Sequence, residues 1–252
     1  FEELILDVLR EAIEPFDPLS FPSVLKFPRN CDLEVPVIEI SDAHPGRKTR
    51  SYNSQVFRQR VRNLAYNSMH VLEMHRKEAA IEEVVLAMNG DIGADGELLF
   101  PGHAFAVDQE VMDQVYRTSI PAFSELIGYV IKCGYRPRIL CCPGNHGRVG
   151  KEHGLSTNWD RMFYESLRLA LQHWPIKWEF PDSWNEGHII TEINHNRTLM
   201  HHGDPIKMHL SIPWYGIIRA ASGWSDAITG TTDHLPGEVI QCLSDYRAEL
   251  NW

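Results

Sequence analysis

Short β-rich apolar runs alternate with long stretches of helical periodicity, and this alternation restricts the possible folds more than any other feature of the chain. The first three runs are VPVIEIS (35–41), EEVVLAMN (82–89) and RPRILCC (136–142). Between the first two, residues 53–80 carry Phe57, Val61, Leu64, Met69, Leu72 and Met74 at inward helical spacing. Residues 108–134 read as one long helix broken at Pro121, or as two, and NWDRMFYESLRLALQHW (158–174) reads as another. IKWEFP and HIITEINHNRTLMHHG (188–203) read as β, with a hairpin turn at Asn194–Asn196. Beyond 205 the pattern weakens: IPWYGIIRAASGWSDAI is a candidate helix, and a strand and short helix are expected in the last 16 residues. Strands alternating with helices make an α/β architecture with a largely parallel core. Ligands of such sheets bind beyond the carboxyl ends of the strands. Chemistry is therefore expected in the one or two residues after each apolar run.

Those positions are polar in a repeated way. Asp42-Ala43-His44 follows the first run, and Asn89-Gly90-Asp91 closes the second. Pro143-Gly144-Asn145-His146 follows the third, and His201-His202-Gly203-Asp204 follows NRTLM. The spacings are similar: 49 residues from Asp42 to Asp91, 54 on to Asn145, and 57 on to His202. Each cluster alone is an ordinary turn or helix cap. Their joint occurrence carries the weight. Carboxylates and imidazoles gathered at one end of a sheet would be costly if left unpaired. Oxygen and imidazole donors are the set that a pair of borderline divalent cations takes.

In this order and spacing, DAH (42–44), GD (90–91), GNHG (144–147) and HHGD (201–204) resemble the signature of the calcineurin-like metallophosphoesterases, over roughly residues 37–234. GNHGR is similar to phage-type and DNA-repair-exonuclease-like members. The resemblance implies a β-sandwich flanked by helices, with a dinuclear metal site at the carboxyl ends of the core strands. It assigns Asp42 and His44 to a first metal, Asp91 to a bridge between both, and Asn145 and His202 to a second. His146 would not be a ligand; it would contact phosphate or protonate the leaving oxygen. The implied activity is phosphodiester hydrolysis, probed first on nucleic acid, by a metal-activated hydroxide. The implied cofactors are two divalent ions, Mn²⁺ first, with Fe, Ni or Zn as alternatives.

Two departures from the signature stand out. Gly147 replaces the acid that often follows GNH, so Asp91 and Asp204 become the candidates to orient His146. The final G-H-x-H is absent. In SDAITGTTDHLP (225–236), His234 aligns with the second histidine of that motif, Thr232 takes the place of the first, and Asp233 is a possible substitute. His234 is then a metal ligand; otherwise it is a loop histidine and the site is degenerate. Arg47, Lys48 and Arg50 follow the first motif, and Arg148 and Lys151 the third. They are either solvated loop charge or a basic lip for phosphate, with Arg47 and Arg148 as the substrate-binding candidates. Trp214 and Tyr215 are candidates for base stacking or for the core. A phosphomonoesterase and a non-catalytic scaffold remain the alternatives.

Composition sets outer limits. The 252 residues suffice for one large domain, and 43% apolar with 23% charged residues is an ordinary globular mix. The expected division is an amphipathic helix and Pro-rich connection over 1–34, then one domain over 35–252 whose C-terminal part looks incomplete against the family. A net charge of −10 argues against a protein that coats nucleic acid, but not against an enzyme meeting it through cations or a local basic patch. The five cysteines are odd in number and contain no CxxC, so they read as reduced thiols of a cytoplasmic protein. No apolar run reaches the ~20 residues of a membrane span, and FEELILDVLREAIEPF does not read as a signal peptide.

Overall fold

The computed structural model of the chain describes residues 32–93, 106–150, 152–204, 206 and 216–217, and the backbone of 238–241. It is mixed α/β. Strands β1 (Val37–Ile40), β2 (Glu83–Asn89), β3 (Arg136–Cys142) and β4 (Lys177–Glu179) form a parallel sheet in sequential order. A second sheet holds β5 (His188–Ile193), β6 (Asn196–His201) and β7 (Glu238–Gln241), with β5 antiparallel and β7 parallel to β6.

Strand periodicity explains why two layers cover the parallel sheet. Alternate side chains of β2 and β3 point to opposite faces. Val84, Leu86, Met88, Ile139 and Cys141 pack with the helices. Val85, Ala87, Leu140 and Cys142 pack with Ile189, Ile193 and Met200 of the second sheet. A strand buried on both faces needs an unbroken apolar run, and VVLAM supplies one.

Helix α1 (Ser54–His75) starts where the Asn53 side chain accepts the Val56 amide at 2.9 Å. Its inward stripe is Phe57, Val61, Ala65, Met69 and Leu72. Leu64 packs only at the margin, and Met74, expected inward, is 49% exposed. The helix also ends short of residue 80, because Ala80 pairs instead with the chain at 32–34. Next come α2 (Val111–Asp113), a π-helical turn (Gln114–Ser119) and α3 (Ile120–Lys132), which form a continuous helical run. Pro121 does not break it. Proline lacks the N–H that would bond the Arg117 carbonyl, and Arg58 Nη2 donates to that carbonyl instead. Helix α4 (Trp159–Ala170) follows β3. The β5–β6 loop is the two-residue turn Asn194–His195, both with positive φ, as a tight hairpin requires. Among the described residues no helix is long and apolar enough to cross a membrane. Cys133, Cys141 and Cys142 are free thiols.

One buried ion pair ties the two sheets together. Arg138 of β3, 6% exposed, makes a two-pronged contact with Glu179 of β4 (Nε to Oε1 and Nη2 to Oε2, each 3.0 Å) and donates to the Glu192 carbonyl of β5 at 2.8 Å. Burial opposes ionisation of Glu179, but donors from Arg138, Lys177 and Thr191 outweigh it and hold the carboxyl at about 2. Its folded pKa is depressed, so its contribution is present above the ordinary carboxylate value and is lost as pH falls toward 2. Glu179→Ala leaves Arg138 with Glu83 (Nη1 to Oε1, 3.4 Å) as its remaining acidic partner and is expected to cost about 2 kcal/mol, the cost of unpaired buried donors. Urea denaturation at pH 7 measures this. The difference from wild type should shrink as the pH is lowered below 4.

Candidate metal centre

Loops at the ends of β1, β2, β3 and β6 build the candidate site. Their backbones are pinned before any side chain is considered. The Asp42 amide donates to the Gly90 carbonyl at 3.1 Å, and the His44 amide to the Asp91 carbonyl at 3.0 Å. Asp42, His44 and Asp91 all take left-handed backbone conformations, with φ of 49°, 42° and 55°. The other non-glycine residues with positive φ among those described are the hairpin pair Asn194 and His195. A left-handed non-glycine residue costs roughly 1–3 kcal/mol, and such strain gathers at functional sites. Here it turns the side chains of three candidate ligands toward one another.

Asp91 is the centre of the cluster and is wholly buried. Its Oδ1 accepts the His146 amide at 2.8 Å, and its Oδ2 lies 3.3 Å from His202 Nε2. Ligand atoms of Asp42, Asp91 and His202 lie within 4.8 Å of one another, and so do those of His44, Asp91 and His146. Asp91 thus belongs to both groups, the position expected of a bridging carboxylate. His44 Nε2 is 3.8 Å from Asp42 Oδ1, and the His44 and His146 rings meet edge to face at 4.7 Å. Burial opposes ionisation of Asp91, but the attraction of His202, His44 and His146 holds its carboxyl below the usual range.

His202 supplies a test of whether cations fit. Its Nδ1 is 2.8 Å from the Asn89 carbonyl, an acceptor, so Nδ1 carries the proton. In the neutral ring Nε2 then presents a lone pair to Asp91 Oδ2 and, at 3.1 Å, to Asn145 Oδ1, whereas in the charged ring it carries the proton that attracts Asp91. Lone pairs of a nitrogen and two oxygens converging in a buried space repel unless a proton or a cation lies among them. A carboxylate, an amide oxygen and an imidazole nitrogen form a donor set that divalent transition ions accept. The residues present fit such a centre. The doublet His201-His202 is buried at both positions, with separate tasks. His201 Nδ1 accepts the Gly203 amide at 2.7 Å, and burial, helped by His202 and His188, holds the His201 ring down to about 4.

The structure therefore gathers Asp42, His44, Asp91, Asn145, His146 and His202. His146, expected not to be a ligand, has a ring nitrogen within reach of a cation shared with His44 and Asp91. Arg148 is held by Asp204 at 2.6 Å, so Asp204 serves Arg148. Arg47 directly follows this cluster in a tight turn, its amide donating to the His44 carbonyl at 3.0 Å. His234, Thr232, Asp233, Trp214, Tyr215, Lys151 and residues 1–31 lie outside the described residues.

Sequence reasoning missed the residue that holds the loops together. Asp160, in the first turn of α4, is wholly buried. Its Oδ2 accepts the amides of Asp91 (2.8 Å) and Gly144 (2.9 Å), and its Oδ1 those of Ile92 (3.0 Å) and Gly93 (2.7 Å). Burial and the nearby charge of Asp91 push the Asp160 carboxyl up, against the pull of these amides. The one available signal, Asn158 and Asp160 at a helix start, reads only as a cap. Gly144 is the other essential neighbour. A Cβ there would overlap Asp91 Oδ1 and the Asp91 amide nitrogen, so the two loops meet backbone to side chain with no room between them. Comparison with family models, with characterised proteins and with solved structures finds no match to this chain.

Proposed function

We propose that this chain is a metallophosphoesterase of the calcineurin-like kind, a dinuclear metal-dependent hydrolase of phosphodiesters, with nucleic acid as the first substrate class to try. One observation carries the proposal: side chains from four strand ends converge on Asp91, which belongs to both cation-holding groups. On the family pattern Asp42 and His44 would hold one cation, Asn145 and His202 the other, and Asp91 both; the ligand atoms that lie together pair Asp42 with His202 and His44 with His146 about Asp91 instead. Bound divalent ions, Mn²⁺ first, supply Lewis acidity at phosphoryl oxygens and acidify water. The chain's own residues do the rest. The left-handed backbone at Asp42, His44 and Asp91 fixes the donors before substrate arrives. His146, with its amide anchored on Asp91, is placed to hold a phosphate oxygen or to give a proton to the leaving oxygen. Arg148 can exchange Asp204 for a phosphate at the rim, and Arg47 stands beside the first loop. The net charge of −10 disfavours the approach of a polyanion, and bound cations would offset it at the site.

The test begins with chelated protein. Adding Mn²⁺ is expected to raise hydrolysis of bis-p-nitrophenyl phosphate at least 100-fold, with p-nitrophenyl phosphate lagging behind and a single-stranded oligonucleotide cut. The reverse preference would make it a monoesterase. No Mn²⁺-dependent hydrolysis of any of the three would leave a scaffold and defeat the proposal.

A further inference from the structure

We infer that Asp160 is the positioning residue of this centre: its carboxylate locks the loops after β2 and β3 into one unit, so that Asp91 and Asn145 face the same point. The inference rests on the metal-centre reading above and assigns a task to a residue that reading leaves unused. Asp160 touches none of the candidate ligands' donor atoms. It acts through the backbone, taking the amides of Asp91, Ile92 and Gly93 on one loop and that of Gly144 on the other.

Local chemistry explains why a carboxylate is needed. With Gly90 and Asp91 both at positive φ, the chain leaves its strand so that three successive amides, 91–93, turn to one side. Buried amides without acceptors are costly. Two oxygens, each taking two N–H groups, satisfy them together with the amide of Gly144. A neutral amide side chain offers one such oxygen and would place its NH₂ against two of the donors. The start of α4 fixes Asp160 in turn. Asn158 Oδ1 caps the Asp160 amide at 2.8 Å, while Asn158 Nδ2 donates to the Gly144 carbonyl at 2.7 Å. The Trp159 amide donates to the Gly147 carbonyl at 2.8 Å. From the other side, Ser119 Oγ, at the end of the π-helical turn, donates to the Gly93 carbonyl at 2.9 Å. A helix start and a π turn thus clamp the two ligand-bearing loops, with the Asp160 carboxylate taking backbone amides from both.

The bland alternative is a staple that merely stabilises the fold, and metal affinity separates the two. D160N is isosteric and is expected to weaken Mn²⁺ binding about 10- to 100-fold, the usual cost of losing a group behind the ligands. Glu179→Ala, which destabilises the protein away from the centre, is expected to leave Mn²⁺ affinity within twofold. Titration calorimetry with Mn²⁺ alone reads both. If D160N binds Mn²⁺ like wild type, or if Glu179→Ala weakens binding as much, the inference is overturned while the metal-centre reading stands. If wild type binds no Mn²⁺, that reading fails and takes the inference with it. A second measurement needs no variant. In metal-free wild type, the amides of residues 91–93 and 144 should exchange with deuterium as slowly as those of β2. Fast exchange there means that Asp160 does not hold the loops, and it overturns the inference even if D160N does not fold.

Discussion

Asp91→Asn is expected to lower phosphodiester hydrolysis by on the order of 10³-fold, about 4 kcal/mol of transition-state stabilisation. The substitution keeps the shape of the side chain, and the remaining oxygen can still accept the His146 amide that Asp91 Oδ1 now takes. What is lost is the anionic oxygen facing His202 Nε2 and common to both ligand groups. A neutral amide is a poor bridge between two cations. The variant should therefore keep its far-UV circular dichroism but lose the rise in melting temperature that Mn²⁺ gives wild type. Activity within tenfold of wild type would mean that Asp91 is structural.

Gly144→Ala is expected to have the largest effect on the fold. The added methyl has no direction of relief: it meets the Asp91 carboxylate and the Asp91 amide nitrogen, both locked by Asp160 and His146. Overpacking of this kind costs about 3 kcal/mol. For a chain of this size that lowers the melting temperature by roughly 6–12 °C. Differential scanning calorimetry on metal-free protein checks it, since the clash does not depend on bound ions. An unchanged melting temperature would show that the loops are looser than this packing requires.

Much of this site is legible in the sequence because its chemistry sits at strand ends. An apolar run such as VVLAM announces a doubly covered strand, and the polar residues after it can only be a turn or a site. The β1, β2 and β3 runs, the β5–β6 hairpin and the clustering of Asp42, His44, Asp91, Asn145 and His202 all follow from that logic. What is not legible depends on tertiary partners. Asp160 lies 69 residues from Asp91 and looks like any helix-start acid until the amides it bonds are known. The left-handed backbone of Asp42, His44 and Asp91 has no glycine to announce it. Pro121 reads as a helix break because nothing in its own neighbourhood names Arg58 as the donor that fills the gap. Met74 is the exception: it stands two residues beyond the buried Leu72, roughly 200° around α1 from it, and so faces solvent.

The central claim is that Asp91 joins two cations held by residues from four loops. Electron paramagnetic resonance of the protein titrated with Mn²⁺ tests it most directly. Two ions sharing a carboxylate lie ~3.5–4 Å apart, close enough for their spins to couple. The account predicts saturation at two Mn²⁺ per chain with an exchange-coupled spectrum that Asp91→Asn abolishes. A single uncoupled Mn²⁺ signal, or a coupled pair that survives Asp91→Asn, would contradict it.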